Sequence, residues 1–141
     1  MQIGVDSATA VDGKRLFVVD NDEITRMALT FMLHDENETH DLPSLEAAFE
    51  KSREWKPDLL LLGLGVVQER GMDTLGAIKS GMQGVKILLV VDKASDPQAQ
   101  ECLQSGADGL LGKPLTIEAV RRKVDVLLGR KQQMIIPLQA I

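Results

Sequence analysis

The chain of 141 residues holds a single cysteine, Cys102. One thiol excludes an internal disulfide, and His34 and His40 stand too far from it in sequence for a zinc-binding spacing. A reducing, cytoplasmic setting fits that scarcity. Aromatic rings are equally few: no tyrosine, three phenylalanines and Trp55, too little for a surface that stacks bases. Positive charge is also short, with 16 Lys and Arg against 21 Asp and Glu and a net charge of −5. Such a balance repels phosphate backbones and anionic lipid, so neither nucleic acid nor membrane is expected as a direct partner. No apolar run approaches the ~18 residues that cross a bilayer, and residues 1–14 lack the basic and apolar pattern of a signal peptide. What remains is ordinary for a globular domain: 44% hydrophobic, 26% charged, and a length that suits one core.

Three apolar runs are strand-sized: Leu16 to Val19, Leu59 to Leu62 and Ile87 to Val91. Being apolar at successive positions, they must be covered on both faces, as central parallel strands are. Between them the apolar period becomes helical. Ile24, Met27, Ala28, Phe31 and Met32 form one stripe, Leu45, Ala48 and Phe49 a second, and Met72, Leu75 and Ile78 a third. Ala99, Cys102 and Leu103 follow, then a short Gly109-Leu110-Leu111 strand and a last stripe of Ile117, Val120, Val124 and Leu127. Thr39 to Leu42 reads as an edge strand stopped by Pro43. Caps fall where helices should start, at Asn21 or Asp22, Ser44, Ser95 or Asp96, and Thr116, while Gly106 and Gly129 end the last two. Alternation of this kind predicts an α/β, doubly wound (βα)5 sheet. The domain spans residues 14–129, with an extension at 1–13 and a tail at 130–141.

In an open parallel sheet, ligands bind outside the carboxyl ends of the strands. Unusual residues collect there: Asp20-Asn21-Asp22-Glu23 after the first run, Asp92-Lys93 after the third, and Gly112-Lys113-Pro114 after the last strand. Converging carboxylates beside an ammonium can hold a hard divalent cation next to an anion. The plainer reading is that Asp20 to Glu23 caps a helix, where negative charge meets the positive dipole end.

The order of these segments resembles the response-regulator receiver domain from about Arg15 to Gly129. Val18-Val19-Asp20-Asn21-Asp22 is similar to the family's first-strand acidic signature, and Pro57-Asp58 followed by Leu59 to Leu62 to the strand that ends in its phosphoacceptor Asp. Gly71 matches the glycine opening the third helix. Ile87 to Val91 matches the strand ending in Ser or Thr, and Ser105 to Gly109 with Lys113-Pro114 the closing motif. The resemblance implies a flavodoxin-like fold with strand order 2-1-3-4-5. It also implies a site that moves a phosphoryl group to an Asp, helped by Mg2+ and the lysine here numbered Lys113.

The chain departs from that pattern where the chemistry lies. The acceptor position is Gly63, which has no side chain to carry an acyl phosphate. Asn21 stands in place of a metal-binding carboxylate, leaving Asp20, Asn21 and the Gly65 carbonyl as a weak or absent Mg2+ site. Val91 replaces the hydroxyl residue and cannot donate a hydrogen bond. Leu110 replaces the switch aromatic, and Asp92 stands where the family prefers a small residue. Lys113, deprived of its partner, is expected to pair with Asp20 or Asp92, or else to swing to solvent. Pro114 is the candidate for a cis bond.

The expectation is a non-phosphorylatable receiver-like module, not an enzyme, in two-component or phosphorelay signalling. It would need no cofactor and would bind another signalling protein: a histidine kinase, a response regulator or an output protein. The (βα)5 unit fills nearly the whole length, leaving no room for an output domain. Receivers commonly signal through the face of the fourth helix, fifth strand and last helix, here Gln98, Glu101, Asp108, Arg121, Arg122 and Asp125. One alternative keeps the switch, through phosphorylation at Asp22 or Asp92 or through a ligand. Another is a small-ligand binder on the same architecture, although Asp20 to Glu23 would repel a flavin phosphate. The apolar segment Met134 to Leu138 offers a homodimer contact or the start of a linker.

Overall fold

A computed structural model describes residues 13–130, so the extension and tail lie outside the described residues except for Gly13 and Arg130. The elements run β1 (Arg15–Val19), α1 (Glu23–Leu33), β2 (Glu38–Leu42), α2 (Leu45–Ser52), β3 (Leu59–Gly63), α3 (Leu64–Arg70), α4 (Thr74–Gly81), β4 (Lys86–Val91), α5 (Pro97–Gln104), β5 (Gly109–Gly112) and α6 (Ile117–Leu128). The five strands pair in parallel, in the order β2-β1-β3-β4-β5. This is the doubly wound parallel sheet that the alternating pattern predicts, in the flavodoxin-like strand order that the resemblance implies.

Strand residues alternate between two cores, because successive side chains leave opposite faces of a sheet. Phe17, Val19, Leu60, Leu62, Ile87 and Leu89 pack toward α2, α3, α4 and α5. Leu16, Val18, Leu59, Leu61, Leu88 and Val90 pack toward α1 and α6. β3 is buried at every position, which explains its unbroken run of leucines. Ser44 and Thr116 accept the Ala47 and Ala119 backbone N–H groups, and the Asp96 carboxylate accepts that of Gln98. Gly129 closes α6 with φ 75°, the left-handed conformation that glycine adopts without a Cβ penalty.

Two elements differ from the sequence pattern. The buried side of α1 is Thr25, Leu29 and Leu33, with Met32 of the predicted stripe packed partly against it, whereas Ile24, Met27 and Phe31 are 79%, 55% and 72% exposed. Two apolar stripes overlap in this segment. The Thr25 hydroxyl donates to the Asp22 carboxylate and the Asp22 N–H to Asp20 Oδ1 where the chain enters the helix. The second difference is α3, which was not foreseen and takes up the segment between Gly63 and Gly71. Its Leu64, Val66 and Val67 are buried, and Gly71 ends it with φ 102°.

Candidate functional site

The carboxyl ends of β1, β3 and β4 and the loop after β5 surround a shallow cleft of about 220 Å³. Asp20, Asn21, Asp22, Gly65, Asp92 and Lys113 all line it, together with Leu64, Gln68 and Asp96. Neither Gln68 nor Asp96, the latter expected only as a helix cap, stands out in the sequence as a site residue. Their signal was the helix-forming Gln68-Glu69-Arg70 ahead of Gly71, and the Asp96-Pro97 helix start. A larger hollow of about 500 Å³ beside Trp55 contains none of the expected site residues.

Asp20 follows the last residue of β1 and is only 5% exposed. Its Oδ1 accepts the Asp22 N–H at 2.8 Å, and its backbone carbonyl accepts from Arg26 Nη1 at 2.9 Å. The carboxylate lies against Gly63. A Cβ built on that glycine would stand 2.4 Å from Asp20 Oδ2, 2.5 Å from Cγ and 2.7 Å from Oδ1. Asp20 thus fills the volume into which any side chain at residue 63 would project. The same exchange recurs one step along: a Cβ at Gly65 would be 3.0 Å from Asn21 Oδ1. Side chains at the end of β1 occupy room that the two glycines leave.

Burial pushes the Asp20 carboxyl above its ordinary value, against the opposing pull of the Asp22 N–H and the Lys113 charge. Asp22 moves the other way, held low chiefly by the hydrogen bond from Thr25. Lys113 Nζ lies 3.3 Å from Asp92 Oδ1, with the two side chains 37% and 86% exposed. A pair this wet contributes about 0–1 kcal/mol. The large penalty of an unpaired buried ammonium does not arise. The Lys113–Pro114 peptide bond is cis. Val91 and Leu110 are 2% and 8% exposed and belong to the core facing α2 to α5, with no hydroxyl or ring at either position.

The donor set does not suit a hard dication. Asp20 is drawn toward β3, Asn21 is neutral and folded on Gly65, and Gly65 lies in the first turn of α3. Carbonyls there are directed along the helix toward the N–H four residues on. Among the described residues no three His, Cys, Asp or Glu side chains gather into a metal-holding group. The face suggested for signalling is also partly engaged within the chain. Asp108 takes Lys79 Nζ and the Ile87 N–H, Arg121 donates to the Met32 carbonyl on the neighbouring α1, and Asp125 pairs with Arg130.

The sheet order and its acidic carboxyl edge define a doubly wound, flavodoxin-like domain. Residues 16–125 match the response regulator receiver domain, and the chain belongs to that family. It is 25% identical over 113 residues to the transcriptional regulatory protein LnrK of Bacillus subtilis, covering 78% of this chain and 51% of that one. It is 26% identical over 117 residues to the two-component response regulator PhoP of Pseudomonas aeruginosa, covering 82% and 52%. The chain therefore spans about half the length of these curated relatives. Among solved structures, a response regulator from Thermotoga maritima superposes with a TM-score of 0.75 at 19% identity, over 83% of this chain and 98% of that one. A two-component response regulator from Clostridium difficile does so with 0.72 at 23% identity, over 85% and 99%. These two likenesses concern the fold. No helix among the described residues is long and apolar enough to cross a membrane.

Proposed function

We propose that this chain is a receiver domain that takes no phosphoryl group and works by binding another protein of a two-component or phosphorelay pathway, in the cytoplasm. The observation that carries this reading is the Asp20 carboxylate standing 2.4–2.7 Å from where a Gly63 Cβ would be. The acceptor is missing, and the space for one is taken. Phosphoryl transfer needs its nucleophile in line and the developing charge neutralised. Here the nearest carboxylate is 5% exposed and the lysine is turned to Asp92. Valine and leucine at residues 91 and 110 leave no hydroxyl and ring to move together, so the surface stays in one state. No metal or other cofactor enters this function.

The test is incubation of the full chain with acetyl phosphate and Mg2+, followed by intact-mass measurement. The expected result is no gain of a phosphoryl group. A gain mapped to Asp22 or Asp92 would establish the alternative, a receiver switched at a substitute site. Partner identity follows from co-purification with a tagged full chain from native cells, where a histidine kinase, response regulator or output protein is expected.

A further inference from the structure

The outward face of α1 is the most apolar exposed helix face among the described residues. Ile24, Met27 and Phe31 are 79%, 55% and 72% exposed, and their i, i+3, i+7 spacing places them in one row. His34 extends the row, its ring 5.9 Å from that of Phe31. Apolar side chains this exposed and contiguous mark a contact surface.

The path of the chain points to what covers it. Arg130 Nη2 donates to Asn37 Oδ1 at 2.6 Å, and Asn37 Nδ2 donates to the carbonyl of Leu33, the last residue of α1, at 2.9 Å. The chain therefore leaves α6 tied to the end of α1 nearest Phe31. Three polar residues follow, Lys131, Gln132 and Gln133, and then Met134, Ile135, Ile136, Pro137 and Leu138, which lie outside the described residues.

The geometry points to this segment, Met134 to Leu138, as the occupant of the α1 face, laid back along the helix from Phe31 toward Ile24. From Arg130 to Met134 an extended chain reaches about 13 Å, ample to come level with Phe31. From Met134 to Leu138 it spans about 13 Å again, against about 10 Å between Phe31 and Ile24 along the helix axis. Pro137 disfavours the helical conformation at Ile136. In an extended segment Met134, Ile136 and Leu138 fall on one side, giving three apolar groups for three. A second copy of the chain fits less well. One row on an 11-residue helix falls far short of the ~800 Å² per partner of a stable interface. A tethered segment instead meets the face at an effective concentration on the order of millimolar.

The test is a pair of cysteines in the full chain, Met27→Cys with Ile136→Cys, oxidised at low protein concentration and mapped by mass spectrometry. Met27 is exposed, so the change spares the core, and the native Cys102 is fully buried and does not compete. The expected product is an intrachain disulfide formed at least tenfold faster than in a control pairing Lys51→Cys with Ile136→Cys, Lys51 lying on α2 across the sheet. Equal rates, or disulfides joining two chains, would overturn the proposal. In a second measurement Ile136→Asp in the full chain should at least double the fluorescence of an apolar-surface dye over the parent, and an unchanged signal would also overturn it.

Discussion

Gly63→Ala separates a missing side chain from missing space. Gly63 has φ −69° and ψ 138°, ordinary extended backbone that alanine adopts freely. On conformational grounds alone the substitution should stabilise the fold by about 0.4–1 kcal/mol, by restricting the unfolded chain. The space argument predicts the opposite sign. A carbon and a carboxylate oxygen need about 3.3 Å, and the new Cβ would meet Asp20 Oδ2 at 2.4 Å. Asp20 must therefore retreat by about 1 Å. That strains the 2.8 Å bond from the Asp22 N–H, and hydrogen bonds to charged groups contribute about 1.5–3 kcal/mol. Overpacking a buried site costs a similar amount, about 1–3 kcal/mol. We expect a net loss of about 2 kcal/mol, read from urea unfolding of the full chain. The double variant Asp20→Ala/Gly63→Ala should then fall short of the summed single losses by at least about 1 kcal/mol, the coupling of residues in contact. A Gly63→Ala protein as stable as the parent, or strictly additive losses, would refute the claim that Asp20 holds the acceptor's place.

Asp20→Asn should be more stable than the parent at pH 7. Burial raises the folded pKa of Asp20, so between the ordinary value near ~3.9 and the raised one the native state binds the extra proton, and stability falls as pH climbs through that window. The advantage of Asn should accordingly vanish below the ordinary value, and a gap independent of pH would contradict the assignment. Lys113→Ala should cost less than about 1 kcal/mol, because its pair with Asp92 is exposed; a larger loss in urea unfolding would show a buried role for the ammonium. Gly63→Asp should not gain a phosphoryl group from acetyl phosphate and Mg2+ by intact mass, since Asn21 leaves the cation a carboxylate short and Lys113 is turned to Asp92.

The fold was readable in the sequence because its strongest signals are thermodynamic. Runs such as Leu59 to Leu62 must be covered on both faces, and the helical stripes between them leave few ways to do it. The rotation of α1 was not readable in the same way. Ile24, Met27, Ala28, Phe31 and Met32 make a fuller stripe than Leu29 and Leu33, so counting apolar positions picks the wrong side. The narrower row of Leu29, Met32 and Leu33 faces the core, and Thr25, which continues it one turn earlier, spends its hydroxyl on Asp22. The helix α3 is hard to read for a different reason: seven residues between Gly63 and Gly71, with a glycine in the first turn, carry little helical signal.

That last point bears on how the site holds together. The family resemblance marks Gly63 and Asn21 as two separate losses, one of a nucleophile and one of a metal ligand. In the folded chain they belong to one packing arrangement. Without a side chain at residue 63, the Asp20 carboxylate can move in against β3, where burial raises its pKa. Without a side chain at residue 65, Asn21 can lie over the first turn of α3, and that turn can be helical rather than an open metal-binding loop. A side chain added at residue 63 alone therefore meets the Asp20 carboxylate already in its place. A site filled in this way takes a side chain at residue 63 only if Asp20 moves with it.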